Sequence, residues 1–399
     1  MKILIQMGDP YPDESPCAKR IRTIYEAFSK CGDEAIVLAP GQAPDSGSLY
    51  GAVYCPTVPL RKKSNLYRFL NSAVFALTSY IKAVRIKNID IVITTCPPPI
   101  INLSGLMIAR VHRAEFIYDV RDLWPDVAWE MGSLTRGSLY SRIFEWIRNL
   151  MLSNAGMVLA VSEGKADKLR RYAPDRTVVE IKNGLDEEFL QNEPDQELIN
   201  RYGLAQKMTV CYIGNLGHAQ GLKQLLTIAE RAVDEMPETQ FLLFGSGAEE
   251  AELKKYVRDN GLSNVRFPGR IPNRQIYTIL TGSDICFVSL VNEKLKDSVP
   301  TKIYEALGAG CPVLLAAEGD AAKVVADSEF GMVVKPNDTE ALWNAFVKMS
   351  SDLEKYRRRK DAVRAYVLKH YSRQKEADRL VEILHRGYEK ESTVCCTGK

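Results

Sequence analysis

The sequence is poor in the groups that build metal centres and disulfide scaffolds. Its four histidines, at 112, 218, 370 and 385, show no ligand spacing. Its nine cysteines (17, 31, 55, 96, 211, 286, 311, 395 and 396) are odd in number, scattered, and include no C-x-x-C pair. These absences argue against a structural metal and for reduced core thiols in a cytoplasmic protein. Charge of one sign is also lacking: the net charge is +3, which argues against a dominant role on nucleic acid. No apolar run is long enough to span a membrane. The opening MKILIQMG is too short for a signal peptide and reads as a first strand, and the apolar stretch 66–85 is interrupted by Arg68 and Lys82.

What is present is a length of 399 residues at 46% apolar content, enough for two domains of about 150 to 200 residues with a core each. Strand and helix patterns alternate with Gly or Pro between them, the mark of doubly wound parallel sheets. Lys2 to Met7 reads as strand one, with a loop from Gly8 to Pro16 and a helix from Cys17. Gly8 marks a close backbone approach, by a ligand in the first crossover crevice or by a tight turn. Arg20 and Arg22 read either as reaching that crevice or as a solvated helix face. Residues 66–85 read as a buried helix or, with the basic cluster Arg61-Lys62-Lys63 just upstream, as a helix resting on an anionic membrane surface. A strand from Asp90 to Cys96 ends in Pro97-Pro98-Pro99, a rigid loop. The strand Phe116–Val120 leads into Arg121, Asp122, Trp124 and Pro125. Charges at a strand end beside such neighbours are costly unless paired or in use, so Arg121 and Asp122 read as functional residues or as a structural ion pair. A helix over 138–153, with Arg142, Trp146 and Arg148, is a second candidate for membrane contact. Asn183-Gly184 and its acidic flank read as the connector, which sets domains at residues 1–185 and 186–371.

The second domain opens on the strand Met208–Ile213 and the glycine-rich turn 214–221, which can cradle phosphate on its amides. Gly245, after the strand Thr239–Phe244, reads as a second such turn or as a tight junction. The organising stretch is Asp297–Pro312, DSVPTKIYEALGAGCP, a crossover between two apolar strands. Pro300 suits a first helical turn and Ser298 or Thr301 a side-chain cap, so the amides of Val299, Pro300, Thr301 and Lys302 would face the sheet's carboxyl edge as an anion seat. The Lys302 side chain adds a cation, and Glu305 a carboxylate for neutral hydroxyls one turn on.

These residues resemble the retaining GT-B glycosyltransferases of glycosyltransferase family 4. Asp297 and Glu305 stand eight apart, as in that family's acidic E-x7-E motif, and the phrase VPTKIYEALGAGCPVLLA is similar to its donor-site helix. The RDLWP phrase resembles a subgroup that builds bacterial surface polysaccharide, including transferases of fucose-type and N-acetylated sugars. The resemblance implies two Rossmann-like domains facing a central cleft. The first would bind the acceptor, the second the nucleotide sugar, with a last helix at about 372–391 crossing back to the first. It also implies that Glu305 holds the ribose, Asp297 the transferred sugar, and backbone groups around Arg270 and Ile271 the base. Gly8, Gly217 and residues 299–302 would receive the diphosphate. The family commonly carries Arg and Lys where Asn215 and Gln220 stand, and often histidine where Arg121 stands, so Lys302, neutral donors and Lys223 would share the phosphate charge here.

The expected reaction is retaining transfer from a UDP-linked sugar, N-acetylated or 6-deoxy, to a polyprenyl-linked saccharide of O-antigen, capsule or exopolysaccharide. No general base is obvious, and the resemblance implies that the departing phosphate oxygen takes the acceptor's proton. No D-x-D motif is present, so neither a metal nor a cofactor beyond the donor is expected. Rival readings are a nucleotide-sugar 2-epimerase on a similar scaffold and a nucleotide-sugar binding protein without turnover. The expected place of work is the cytoplasm, either free or peripheral to the inner face of the plasma membrane.

Overall fold

The structure, a computed structural model, describes residues 1–11, 15–42, 50–58 and 65–396. The basic cluster 61–63 therefore lies outside the described residues. The chain divides into two compact units, Met1–Asn183 with Arg373–Lys399, and Gly184–Ser372.

The first unit runs β1 (Lys2–Gln6), α1 (Pro16–Lys30), β2 (Glu34–Pro40), β3 (Ala52–Cys55), α2 (Asn65–Ala83), β4 (Ile91–Cys96), α3 (Pro99–His112), β5 (Glu115–Val120), α4 (Asp126–Glu130), α5 (Leu139–Asn154), β6 (Met157–Ala160), α6 (Glu163–Tyr172) and β7 (Thr177–Glu180). Its seven strands pair in parallel in the order β3-β2-β1-β4-β5-β6-β7. Alternate residues of each central strand feed opposite faces. Ile3, Ile5, Ile91 and Ile93 pack with Ile21 and Phe28 of α1, while Leu4 and Val92 pack with Phe75 of α2, Ile108 of α3 and Met151 of α5. Burial on both faces makes these strands near-continuous apolar runs in sequence. Strands β2 and β3 were not anticipated. The rigid triple-proline loop is shorter than expected, because Pro99 opens α3, a position its fixed φ and missing N–H suit.

The last helix, α16 (Arg373–Cys396), packs against α1. It places Ala377, Leu380, Val381 and Leu384 in the core, a spacing that puts all four on one helix face. Its His385 ring meets Asp33 at 2.7 Å, and the same carboxylate holds the amino terminus at 2.6 Å.

The second unit contains α7 (Gln196–Tyr202), β8 (Met208–Ile213), α8 (Lys223–Glu235), β9 (Thr239–Phe244), α9 (Glu250–Asp259), β10 (Val265–Gly269), α10 (Asn273–Gly282), β11 (Ile285–Ser289), α11 (Lys302–Ala309), β12 (Val313–Ala316), α12 (Asp320–Ser328), β13 (Gly331–Val334), α13 (Thr339–Ser351), α14 (Leu353–Arg357) and α15 (Lys360–His370). Its six parallel strands run β10-β9-β8-β11-β12-β13. In each sheet the order reverses once, between β1 and β4 and between β8 and β11. The carboxyl ends at such a reversal are where open α/β sheets leave a crevice. Gly8 and Pro97–Pro99 follow one such pair of strands, and the segments 214–221 and 290–301 follow the other.

Candidate functional site

At the reversal of the second sheet, α11 begins at Lys302 and stops at Gly310, whose φ of 73° is the left-handed cap expected of glycine. Thr301 occupies the N-cap but makes no side-chain capping bond, and neither expected cap forms. The N–H of Ile303 goes to the Pro300 carbonyl at 3.1 Å and that of Tyr304 to the Thr301 carbonyl at 3.0 Å. Pro300 has no N–H to give, which corrects the expectation that all four amides of 299–302 serve an anion. Among the described residues no backbone acceptor takes the N–H of Val299, Thr301 or Lys302. Three donors at a helix start remain open, where the helix dipole favours negative charge.

Lys302 folds back from this turn over the end of β8. Its Nζ donates to the Tyr212 hydroxyl at 2.8 Å and to Gln220 Oε1 at 3.0 Å, and stands 4.1 Å from the Tyr212 ring centre. Burial lowers its pKa to about 8, against opposing pulls from Cys286 and Glu305. Tyr212 donates its own hydrogen to the Asn215 carbonyl at 2.7 Å. Asp297 is buried just before the helix and Glu305 is half-buried on its first turns. The structure thus brings Asn215, Gln220, Lys302 and the open amides to one sheet edge. Sequence reasoning missed Tyr212. The strand pattern marks it as buried, but nothing local says that its hydroxyl meets a lysine 90 residues away.

The neighbouring turns are packed together. A Cβ on Gly245, where φ is 133°, would fall 1.8 Å from the Gly214 carbonyl oxygen, so this glycine lets two loops cross. The Gly245 N–H is taken by the Gly269 carbonyl at 2.8 Å. Tight junction is therefore the reading that this geometry supports for Gly245. Gly217 faces the Asn215 side-chain amide, Arg270 is exposed, and Ile271 beside it is half-buried. Lys223 pairs with Glu252 at 2.6 Å, so its charge already has a carboxylate partner.

In the first unit, Gly8 is pressed against Pro98, and a Cβ there would lie 2.3 Å from the ring. Arg121 donates through Nε to Thr95 Oγ1 at 3.0 Å and through Nη2 to the Pro97 carbonyl at 3.1 Å. It is therefore held by β4 and the proline turn rather than by Asp122, and the structural ion pair between these two residues is not formed. Arg20 is neither solvated nor open to the crevice. It is buried and grips Asp119 through Nη2 at 2.8 Å and Nε at 3.3 Å, while Nη1 donates to the Ile181 carbonyl at 2.9 Å. Arg148, expected on a basic outer face, is also buried, 2.6 Å from Asp126 and with its guanidinium over the Tyr172 ring.

Residues 17–184 match the family described as glycosyl transferase 4-like domain, and residues 195–366 the family described as glycosyl transferases group 1. Two glycosyltransferase family models thus match successive parts of the chain, and its fold is GT-B. The chain is 23% identical over 258 residues to the probable glycosyltransferase WbjE of Pseudomonas aeruginosa, a match covering 63% of this chain and 64% of that protein. It is 24% identical over 343 residues to the putative colanic acid biosynthesis glycosyl transferase WcaI of Escherichia coli K12, covering 80% and 84%. Among solved structures, sucrose-phosphate synthase of Thermosynechococcus elongatus superposes with a TM-score of 0.81 at 20% identity, over 98% of this chain and 99% of that one. HepE of Anabaena in complex with UDP and glucose gives 0.73 at 16% identity, over 97% and 100%. At these identities the structural likeness establishes the GT-B fold.

Proposed function

We propose that the protein is a retaining glycosyltransferase of the surface-polysaccharide subgroup. It moves a sugar of the N-acetylated or 6-deoxy kind from a UDP-linked donor to a polyprenyl-linked saccharide. The observation that carries the donor half of this reading is the edge of the second sheet. Open N–H groups of Val299, Thr301 and Lys302, the Lys302 ammonium, and two acids eight residues apart stand where a nucleotide diphosphate has both donors and a cation to meet. The solved HepE complexes contain UDP and UDP-glucose. The acceptor half is supported by relatives named for colanic acid and O-antigen chain synthesis.

Breaking the anomeric bond leaves positive charge on the sugar and adds negative charge to the departing diphosphate. Preorganised donors that match the second charge lower the barrier without reorganisation. Lys302 and the open amides supply them, Glu305 accepts from the ribose hydroxyls, and Asp297 positions the sugar. The departing phosphate oxygen receives the acceptor's proton on the same face, which retains the anomeric configuration and needs neither a metal nor a carboxylate pair of glycosidase type. The first unit holds the acceptor, with Arg121 and Asp122 at its sheet's carboxyl edge.

A lipid-linked acceptor implies work at a bilayer surface, and the outer side of α2, α3 and α5 supports it. Leu77, Ile81, Met107, Val111, Ile143 and Trp146 are exposed there. Helices α2 and α3 contain no Asp or Glu, while Arg68, Arg110 and Arg142 are exposed among the apolar groups. An apolar face edged by cations matches an anionic inner leaflet. No described helix is long and apolar enough to cross a membrane.

Incubation with UDP-sugars and a polyprenyl-diphosphate-linked saccharide, in the presence of EDTA, tests the proposal. Transfer with retained anomeric configuration supports it. Inversion at sugar C2 without acceptor indicates the epimerase, binding without turnover indicates a sensor, and loss of transfer in EDTA refutes the metal-free mechanism.

A further inference from the structure

Among the side chains at this sheet edge Asn215 and Gln220 are neutral and Lys223 is paired with Glu252, which leaves Lys302 to carry more of the task. What fixes that lysine is therefore decisive. An ammonium has three N–H donors. Two are engaged, by Tyr212 and by Gln220 Oε1, and the ring of Tyr212 covers the same nitrogen at 4.1 Å. Tyr212 is fully buried on β8, so its ring cannot swing away. Its single hydrogen goes to the Asn215 carbonyl at 2.7 Å, the nearer of its two acceptors since Gln220 Oε1 stands at 3.4 Å, which turns a lone pair of the hydroxyl towards the lysine. The same hydroxyl thereby ties strand, glycine-rich turn and helix start together at one atom. All three partners of the ammonium are neutral, and among the described residues Lys302 enters no ion pair, so its charge is not cancelled before an anion arrives.

We propose that Tyr212 is a positioning residue of the donor site, seating Lys302 so that the third N–H of its ammonium is held for a diphosphate oxygen. This rests on reading the second unit as a nucleotide-sugar site and specifies how that site supplies its charge. A pH dependence follows. Burial lowers the Lys302 pKa to about 8, and a bound diphosphate favours the ammonium and raises it again. Above that pH, binding must take up a proton, so affinity falls as pH rises and is undiminished below it. The titratable groups facing Lys302 are Tyr212 on β8, Cys286 on β11 and Glu305 on its own helix. Burial pushes Tyr212 further up from the tyrosine range, and the contact with Cys211 together with burial pushes Cys286 up, so neither of these two sheds a proton near pH 8.

The test is calorimetric titration of the full chain with UDP and with uridine between pH 7 and about pH 9, where the uracil N3–H that the two share stays mostly protonated. Wild type is compared with Tyr212→Phe, which keeps the ring and removes the hydroxyl, and with Gln220→Leu and Lys302→Met. For wild type, UDP affinity should fall by up to about tenfold per pH unit above pH 8 while uridine affinity stays flat. Lys302→Met should abolish that slope. Tyr212→Phe should weaken UDP by about tenfold at pH 7, leave uridine within about twofold, and move the midpoint of the pH profile. Gln220→Leu removes the other acceptor, should act in the same direction, and carries the test if Tyr212→Phe does not fold. The inference is overturned if these variants leave UDP affinity and its pH profile unchanged, or weaken UDP and uridine alike. A wild-type protein that binds no UDP overturns the donor-site reading itself, and this inference with it.

Discussion

Asp119→Ala probes the first unit most sharply. Asp119 has no exposed surface, and Arg20 is 1% exposed. The carboxylate takes two guanidinium bonds, at 2.8 and 3.3 Å. Truncation leaves the guanidinium buried with backbone carbonyls as its main acceptors, chiefly Ile181 at 2.9 Å and Lys182 at 3.3 Å. Breaking a buried pair by removing one partner costs about 3–5 kcal/mol, because the remaining charge is uncompensated. For a unit of this size each kcal/mol lowers Tm by about 2–4 °C, so the variant should melt about 6–20 °C below wild type. The double variant Arg20→Met/Asp119→Leu removes both charges and fills the space with apolar groups, and it should recover most of the loss. Urea unfolding and thermal melts followed by circular dichroism read both effects. UDP affinity should stay within about twofold, since the donor residues belong to the other unit. A loss below about 1 kcal/mol for the single variant, or a double variant no better than it, would refute the reasoning. The first outcome would mean that water screens the pair as it does at a surface, and the second that the loss lies in the carbonyls deprived of Arg20 rather than in an unpaired charge.

Three further outcomes are expected. Gly245→Ala must place a Cβ 1.8 Å from the Gly214 oxygen at a φ of 133°, whereas Gly261→Ala, at a φ of 62°, meets nothing within 4 Å. Urea midpoints should show the first change costing several times the second, which is held to about 1 kcal/mol. Glu305→Gln replaces a charged acceptor by a neutral one and should raise the donor KM by about tenfold or more, read from initial rates against donor concentration. Trp146→Ser with Ile143→Ser, at residues 57% and 44% exposed, should cut co-sedimentation with phosphatidylglycerol vesicles several-fold while shifting Tm by less than about 2 °C.

Much of the fold is legible because its strands are buried on both faces. Met208–Ile213 and Thr239–Phe244 are apolar runs closed by Gly214 and Gly245, and the strands begin and end where the runs do. The same apolar signal is present in Glu34–Pro40 and Ala52–Cys55, so these two strands are legible by the same reading. The donor edge is legible as a motif, since Asp297, Lys302 and Glu305 lie within nine residues of one another. Its wiring is not. The pairings of Arg20 with Asp119, Lys223 with Glu252, and Lys302 with Tyr212 join residues far apart in the chain. Only the strand order brings them together, and a local pattern reports on helix faces and turns rather than on partners across the sheet. The cap at Thr301 shows a different limit: residue type suits capping, but the backbone there is already helical, at φ −59° and ψ −26°. A side chain so placed does not reach back as an extended N-cap would.

A crystal of the protein soaked with UDP tests the central claim directly. The account predicts the diphosphate at the start of α11, within hydrogen-bond reach of the Thr301 and Lys302 amides and of Lys302 Nζ, with the ribose hydroxyls on Glu305. UDP bound away from that helix start, with Lys302 still occupied only by Tyr212 and Gln220, would contradict it.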